Sequence, residues 1–349
     1  MVSKSEFAET IQEYLLAKYP EIEETYCKLI HKNNAELYGI IIKSYSSNVS
    51  PVIYIDNFYE QKLNGASLDH VCGQIGAIFE ASRQPQTDLS WFSDIKKVKE
   101  MMTVKLISQK GNQQLLSDVP YFEYGDLAGI YQVNLGRNFT EAGASITVKN
   151  EHIKIWNISA EQLHQYAMQN MESKEFIIKS MADIFRDNFL GAGAFEINDA
   201  GLPVTQMYVL TNTDMRNGAS GILNSNLLQS LSEKLGSNLV ILPSSVHEVI
   251  LLPDHNFDYN ELIEMVTDIN QREVEPEDRL SNNVYSYDSK EKVLCQGAEK
   301  KPMQIKICNM DQKLEQNSVL GKLRSHQSSL HKPDKDIQVK EHSQHQKER

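Results

Sequence analysis

The chain has 349 residues, of which 40% are hydrophobic, and carries a formal net charge of −12. No run approaches the roughly 18 consecutive apolar residues of a membrane helix, and the 4 scattered cysteines, Cys27, Cys72, Cys295 and Cys308, are too few for a disulfide scaffold. The opening residues Met1 to Glu6 show no basic segment leading into an apolar one, so the expectation is a soluble, cytoplasmic protein with reduced thiols.

Ser3 and Glu6 form a capping-box pattern, and Phe7, Ile11, Tyr14 and Leu15 follow at helical spacing before Pro20, which predicts an amphipathic helix. Two β-rich runs, Ile22–His31 and Glu36–Tyr45, flank Lys32-Asn33-Asn34, where asparagine tolerates left-handed turn geometry. Pro51–Ile55 reads as a third strand. Asp56–Arg83 reads as helix broken near Asn64-Gly65, with Ser67 capping its second half. Met101–Ile107 fits strand or helix, since short apolar runs do not discriminate. Tyr121–Leu135 and Ala144–Ile155 read as strands of one sheet. Ser159 with Gln162 opens a long helix through Leu163, Ala167, Met171, Ile177, Met181 and Phe185. Gly191, Gly193 and Gly201 then mark a turn-rich link around a short Ala194–Ile197 strand.

Thr205–Thr211 reads as a strand, and Ile222, Leu223, Leu227, Leu228, Leu231 and Leu235 line one helix face. Leu239–Leu242 and Val246–Leu252 are nearly continuous apolar runs around Pro243-Ser244-Ser245. Both faces of such strands must be covered, so they are expected at the centre of a sheet. Asp258 and Glu261 open a helix carrying Leu262, Met265, Val266 and Ile269, and Tyr285, Tyr287, Val293 and Cys295 suggest a last hairpin. A helix–strands–helix order occurs near 3–84 and again near 220–274, consistent with tandem subdomains or with convergent packing.

Gly297 to Arg349 hold 11 basic and 7 acidic residues and no Phe, Trp or Tyr. Such a segment buries too little apolar area to offset its ordering entropy, so it is expected to be a disordered tail; Val319, Leu320 and Leu323 are spaced for one or two helical turns on a partner. Residues 1–296 then hold 24 basic and 40 acidic residues, a balance of −16. A body so acidic repels phosphate backbones, which disfavours nucleic acid as a partner.

The motifs that carry chemistry are missing or incomplete. Gly191-Ala192-Gly193-Ala194-Phe195-Glu196 lacks the third glycine of a dinucleotide fingerprint, and there is no Walker-type turn. His247-Glu248-Val249-Ile250-Leu251 ends in Leu where a zinc protease needs its second His. No cofactor and no metal are expected. One segment stands out, Leu242 to Ile250, with Ser244, Ser245, His247 and Glu248 beside two apolar runs. Strand alternation would place Ser245 and His247 on one face and Glu248 on the other. The expectation is structural: hydroxyls closing the turn, His247 hydrogen-bonded at the sheet end, and Glu248 on a neighbouring N–H or cation. The alternative is a binding groove lined by His247. A second polar cluster, Thr211-Asn212-Thr213-Asp214 with Arg216, Asn217 and Gly218, is first of all turn chemistry and otherwise a ligand site at a strand end.

Tyr208-Val209-Leu210-Thr211-Asn212, Gly218-Ala219 and Pro243-Ser244-Ser245-Val246-His247-Glu248-Val249 together resemble an uncharacterised bacterial family, a domain of unknown function found mainly in gut-dwelling Gram-positive anaerobes. Val119-Pro120, Asp126-Leu127, Leu280-Ser281 and Tyr285-Ser286-Tyr287-Asp288 fit the same pattern, and the resemblance covers roughly residues 5–295. It implies a bacterial cytosolic setting and no assigned activity.

The resulting reading is an α+β protein with antiparallel sheets and packed helices. Its expected parts are an N-terminal subdomain (1–110), a C-terminal subdomain (111–296) and the tail (297–349). A non-catalytic binding or adaptor protein acting through protein–protein contacts is the leading expectation. The alternative is a hydrolase-like enzyme around His247 and Glu248. Candidate binding residues are His247, Glu248, Ser245, Asn212, Asp214 and Asp126. Their convergence on a pocket would favour the enzyme, and a filled sheet end the adaptor.

Overall fold

In the computed structural model Ser3 caps α1 (Lys4–Lys18) through the full capping box: its Oγ accepts from Glu6 N at 3.2 Å, and Glu6 Oε2 takes the Ser3 N–H at 2.7 Å. The structure describes residues 2–83, 86–136, 144–184, 207–243 and 245–308. The link around Gly191–Gly201, Ser244, and the tail from 309 lie outside them.

The first sheet runs β1 (Ile22–Lys32), β2 (Ala35–Ser44), β3 (Val52–Tyr54), all antiparallel, with Asn34 in the left-handed region at φ 53° in the β1–β2 turn. α2 (Asp56–Leu63) and α3 (Leu68–Ala81) follow, and Ser67 Oγ caps α3 by accepting from His70 N. Phe7, Ile11 and Leu15 of α1, Ile40 and Ile42 of β2, and Val71, Ile75 and Phe79 of α3 close one core. Residues 4–81 therefore form a layer with an apolar centre of its own.

After the short α4 (Ile95–Val98), β4 (Met102–Ser108) resolves the ambiguous run as a strand. α5 (Gln113–Asp118), β5 (Tyr121–Tyr124), β6 (Leu127–Gly136) and β7 (Ala144–Thr147) come next. The second sheet has the order β15 (Ile305–Cys308)-β5-β6-β4, with β7 also on β6. β4 pairs with β6 over its whole length, Met102 opposite Val133 to Ser108 opposite Leu127. Residue 110, the expected division, thus lies between two strands that pair with each other.

Two elements change identity. The run Ala144–Ile155 is a strand only to Thr147; it then turns into α6 (Asn150–Trp156), which buries Trp156 and donates its indole N–H to Phe92 O at 2.6 Å. α7 (Ala160–Ser173) has the expected Ser159–Gln162 cap but ends where β8 (Phe176–Ser180) begins. Ile177 fits the helical period by coincidence: Phe176, Ile177 and Ile178 are strand formers, and their pairing with β9 (Tyr208–Asn212) prevails.

A 3₁₀ turn, Gly218–Leu223, precedes α8 (Ser225–Leu235), β10 (Leu239–Leu242), β11 (Val249–Pro253) and α9 (Tyr259–Glu273). The third sheet has the order β14 (Lys301–Pro302)-β13 (Val293–Gln296)-β12 (Tyr285–Asp288)-β10-β11-β9-β8. β10 and β11 are interior strands, as their unbroken apolar runs require. Val104, Leu106, Tyr131, Leu210, Ile241, Leu251 and Tyr285 belong to one core that the second and third sheets share. Leu228 and Leu231 of α8 join it, whereas Tyr259 and Val266 of α9 pack with Val240 and Leu242 in a separate cluster. The N-terminal helices α1 and α3 pack into a single cluster, so the two helix–strands–helix units are built differently.

The body also extends past the expected boundary at 297. A turn at Gly297–Lys300 leads into β14 and β15, and Met303, only 6% exposed, enters the main core. Aromatic content missed these residues; Met303 and Ile307 carry the apolar signal instead. Among the described residues no helix is long and apolar enough to cross a membrane.

Candidate functional site

The polar cluster after β9 is organised by one side chain. Asn212 is almost fully buried; its Oδ1 accepts from Asp214 N at 3.0 Å and Arg216 N at 3.2 Å, and its Nδ2 donates to Arg216 O at 2.7 Å. Such an asparagine substitutes for backbone in a tight loop. Gly218 then lets this loop touch the next one: a Cβ there would sit 2.5 Å from the His247 carbonyl. Thr211 Oγ1 donates to the same carbonyl at 2.9 Å.

The segment Ser245–Glu248 is not strand. Its backbone bonds go to neighbouring loops, with Val246 N donating to Asp278 O at 2.8 Å and Val246 O accepting from Ala219 N at 3.3 Å. The expected alternation therefore does not apply. Ser245 is buried and its Oγ accepts from His247 N at 3.0 Å, closing the turn. The His247 ring lies between Asn217 N, 3.3 Å from Nδ1, and Asp278 Oδ1, 3.1 Å from Nε2. Because Nδ1 must accept from a backbone N–H, the proton of the neutral ring resides on Nε2 and points at Asp278. Glu248 is half-buried beside it, and among the described residues no hydrogen bond or ion pair reaches its carboxylate.

Asp126 serves elsewhere. It accepts from Ser281 Oγ at 2.6 Å, Asn283 Nδ2 at 2.8 Å and Tyr285 OH at 2.7 Å, which ties the β5–β6 turn to the third sheet. Burial pushes the Tyr285 hydroxyl well up, with the Asp126 charge adding to the effect, so it stays protonated as the donor. Of the candidate residues, His247 is brought next to the Asp214 loop, while Asp126 and Asn212 are spent on structure.

Sequence reasoning missed the cleft that these loops border. Its volume is about 460 Å³. The floor is one face of the second sheet, where Lys105, Ile130, Gln132 and Thr147 lie side by side through the β4–β6 and β6–β7 registers. One wall is Lys32 of the β1–β2 hairpin with Tyr54 of β3; the other is Arg216, Asn217, His247 and Asp278. A small recess of about 40 Å³ continues the floor to Thr103, Lys174 and Asp214. The hairpin is held by asparagines. Asn33 Nδ2 donates to Glu277 O and Arg279 O at 2.9 and 2.8 Å, and Asn112 Nδ2 reaches Asn33 Oδ1 at 3.0 Å. Burial pushes the Lys105 ammonium below the usual lysine range, opposed by Asp278; Lys174 shifts the same way, opposed by Asp214. A lysine amid Met101–Ile107 was the available signal, since a strand there puts it beside Thr103 and Ile107 on one face.

The chain belongs to DUF5688, a family of unknown function, over residues 4–289. No curated protein and no solved structure matches it.

Proposed function

We propose that this chain is a non-catalytic cytoplasmic adaptor that engages a protein partner along the free edge of β1. The observation that carries this reading is the strand itself. β1 spans Ile22–Lys32, pairs among the described residues with β2 alone, and leaves Tyr26 and Leu29 exposed at 38% and 36%. An unpaired edge is a template for an extended segment of another protein, whose main chain supplies hydrogen bonds while side chains set specificity. Glu23, Glu24 and Lys28 on the same strand restrain self-pairing and select the incoming sequence. The balance of −16 over residues 1–296 favours a protein over a nucleic acid.

The hydrolase alternative is weaker on chemical grounds. A general base needs a free lone pair within reach of a substrate proton. Both nitrogens of His247 are occupied within the protein, the Asp126 oxygens hold three donors, and Glu248, whose carboxylate keeps its lone pairs, does not line the cleft. A photo-crosslinking amino acid placed at Leu29, compared with one at exposed Ile155, tests the adaptor in a lysate of the native host. A discrete protein adduct from Leu29 alone is expected. No adduct, or the same adducts from both positions, would count against it.

A further inference from the structure

We infer that the cleft beside His247 binds a small ligand through a carboxylate or phosphate group seated on Lys105. Lys105 lies on β4 opposite Ile130, on the face that forms the cleft floor. No hydrogen bond or ion pair of its ammonium exists among the described residues. An ammonium half-withdrawn from water without a partner is costly, and an anion entering the cleft relieves that cost.

The carboxylates nearby do not serve as that anion. Asp278 is bonded to His247 at 3.1 Å and Glu277 to Lys32 at 3.1 Å. The two carboxylates that act on Lys105 are therefore already held by His247 and Lys32, while Lys32 and Arg216 add positive charge to the same cleft. The cleft is left with a cation to offer in an otherwise acidic body. Gln132, Ser145 and Thr147 surround the position with neutral donors and acceptors that can orient the rest of a ligand. A volume of about 460 Å³ lies within the usual span of small-molecule sites, roughly 300–1,000 Å³. The site is separate in kind from the β1 edge: it takes a small anion, not a strand.

The test uses the full chain and two probes, inorganic phosphate and succinate, each titrated at constant ionic strength and followed by the thermal midpoint. Wild-type protein is expected to be stabilised by at least one probe, and which one tells a phosphate ligand from a carboxylate. Lys105→Met is expected to bind that probe about tenfold more weakly or worse. Without the probe it should melt no lower than wild type, because the stranded charge is gone. Ser145→Glu, an exposed floor position, should fold normally and lose the response through charge repulsion, and it decides the matter should Lys105→Met not fold. No stabilisation of wild type by either probe, or equal stabilisation of wild type and the variants, would overturn the assignment. A probe-free Lys105→Met that melts well below wild type would do so too, since it would make Lys105 a structural group.

Discussion

Ending the chain after Gln296 is expected to lower its stability by about 3–5 kcal/mol, whereas ending it after Cys308 should change stability by no more than about 0.5 kcal/mol. The first cut removes β14 and β15. Met303, 6% exposed, leaves a hole in the main core, and loss of a buried methionine side chain alone costs about 2–5 kcal/mol. β15 also pairs with β5 from Ile305 opposite Tyr124 to Cys308 opposite Tyr121, so its loss strips partners from a covered strand and uncovers Ile307's contacts. At about 2–4 °C per kcal/mol the melting midpoint should fall by about 6 °C or more. The second cut removes a segment without aromatic residues and rich in charge, which has little apolar area to contribute. Thermal melts of both truncations decide the point. A chain ending at Gln296 that melts with the full-length protein would show that these strands do not hold the body together.

Asn112→Ala is expected to cost about 2–4 kcal/mol in urea melts. Asn112 is 2% exposed, and its Oδ1 accepts the Asn34 N–H at 2.8 Å while its amide is shared among Ser108 O, Asn33 Oδ1 and Asn34 Oδ1. Alanine takes the acceptor from the half-buried Asn34 N–H and the donor from Ser108 O and the two asparagine oxygens, Asn33 Oδ1 keeping only Ser108 N at 3.3 Å. A buried group left unpaired costs about 1–3 kcal/mol. The loss should concentrate where the bonds are, so amide exchange should accelerate most at residues 31–36. A neutral substitution would mean that the asparagines do not anchor the hairpin that walls the cleft.

Local chemistry was the most legible part of this sequence. The Ser3–Glu6 and Ser159–Gln162 boxes start helices as expected because a cap depends on residues within one turn. β10 and β11 were recognisable as interior strands because burial on both faces leaves no polar alternation. Failures occurred where a distant pairing decided. Ile177 follows the helical period, yet β9 recruits it into a sheet; Met303 and Ile307 look like tail until β13 and β5 supply neighbours. Ser245–Glu248 reads as a continuation of β11, but Asp278 and Ala219 take its backbone bonds. The candidate site was half legible for the same reason. His247 and Asp214 could be singled out by residue type, whereas Asp278 and Lys105 become neighbours of that segment only through the fold. Nothing in the order of residues says that β4 will form the floor under His247.

The central claim is that the polar cluster around His247 holds structure rather than serving chemistry, and comparing His247→Ala with Glu248→Ala in urea melts tests it most directly. Removing the imidazole takes a partner from the half-buried Asn217 N–H and from Asp278, which should cost about 1–2 kcal/mol. Removing the Glu248 carboxylate breaks no hydrogen bond and should stay within about 0.5 kcal/mol. A destabilised His247→Ala beside a near-neutral Glu248→Ala is the predicted result. A neutral or stabilised His247→Ala would contradict the account, because polar groups kept for a ligand or a reaction are those a protein gains stability by losing.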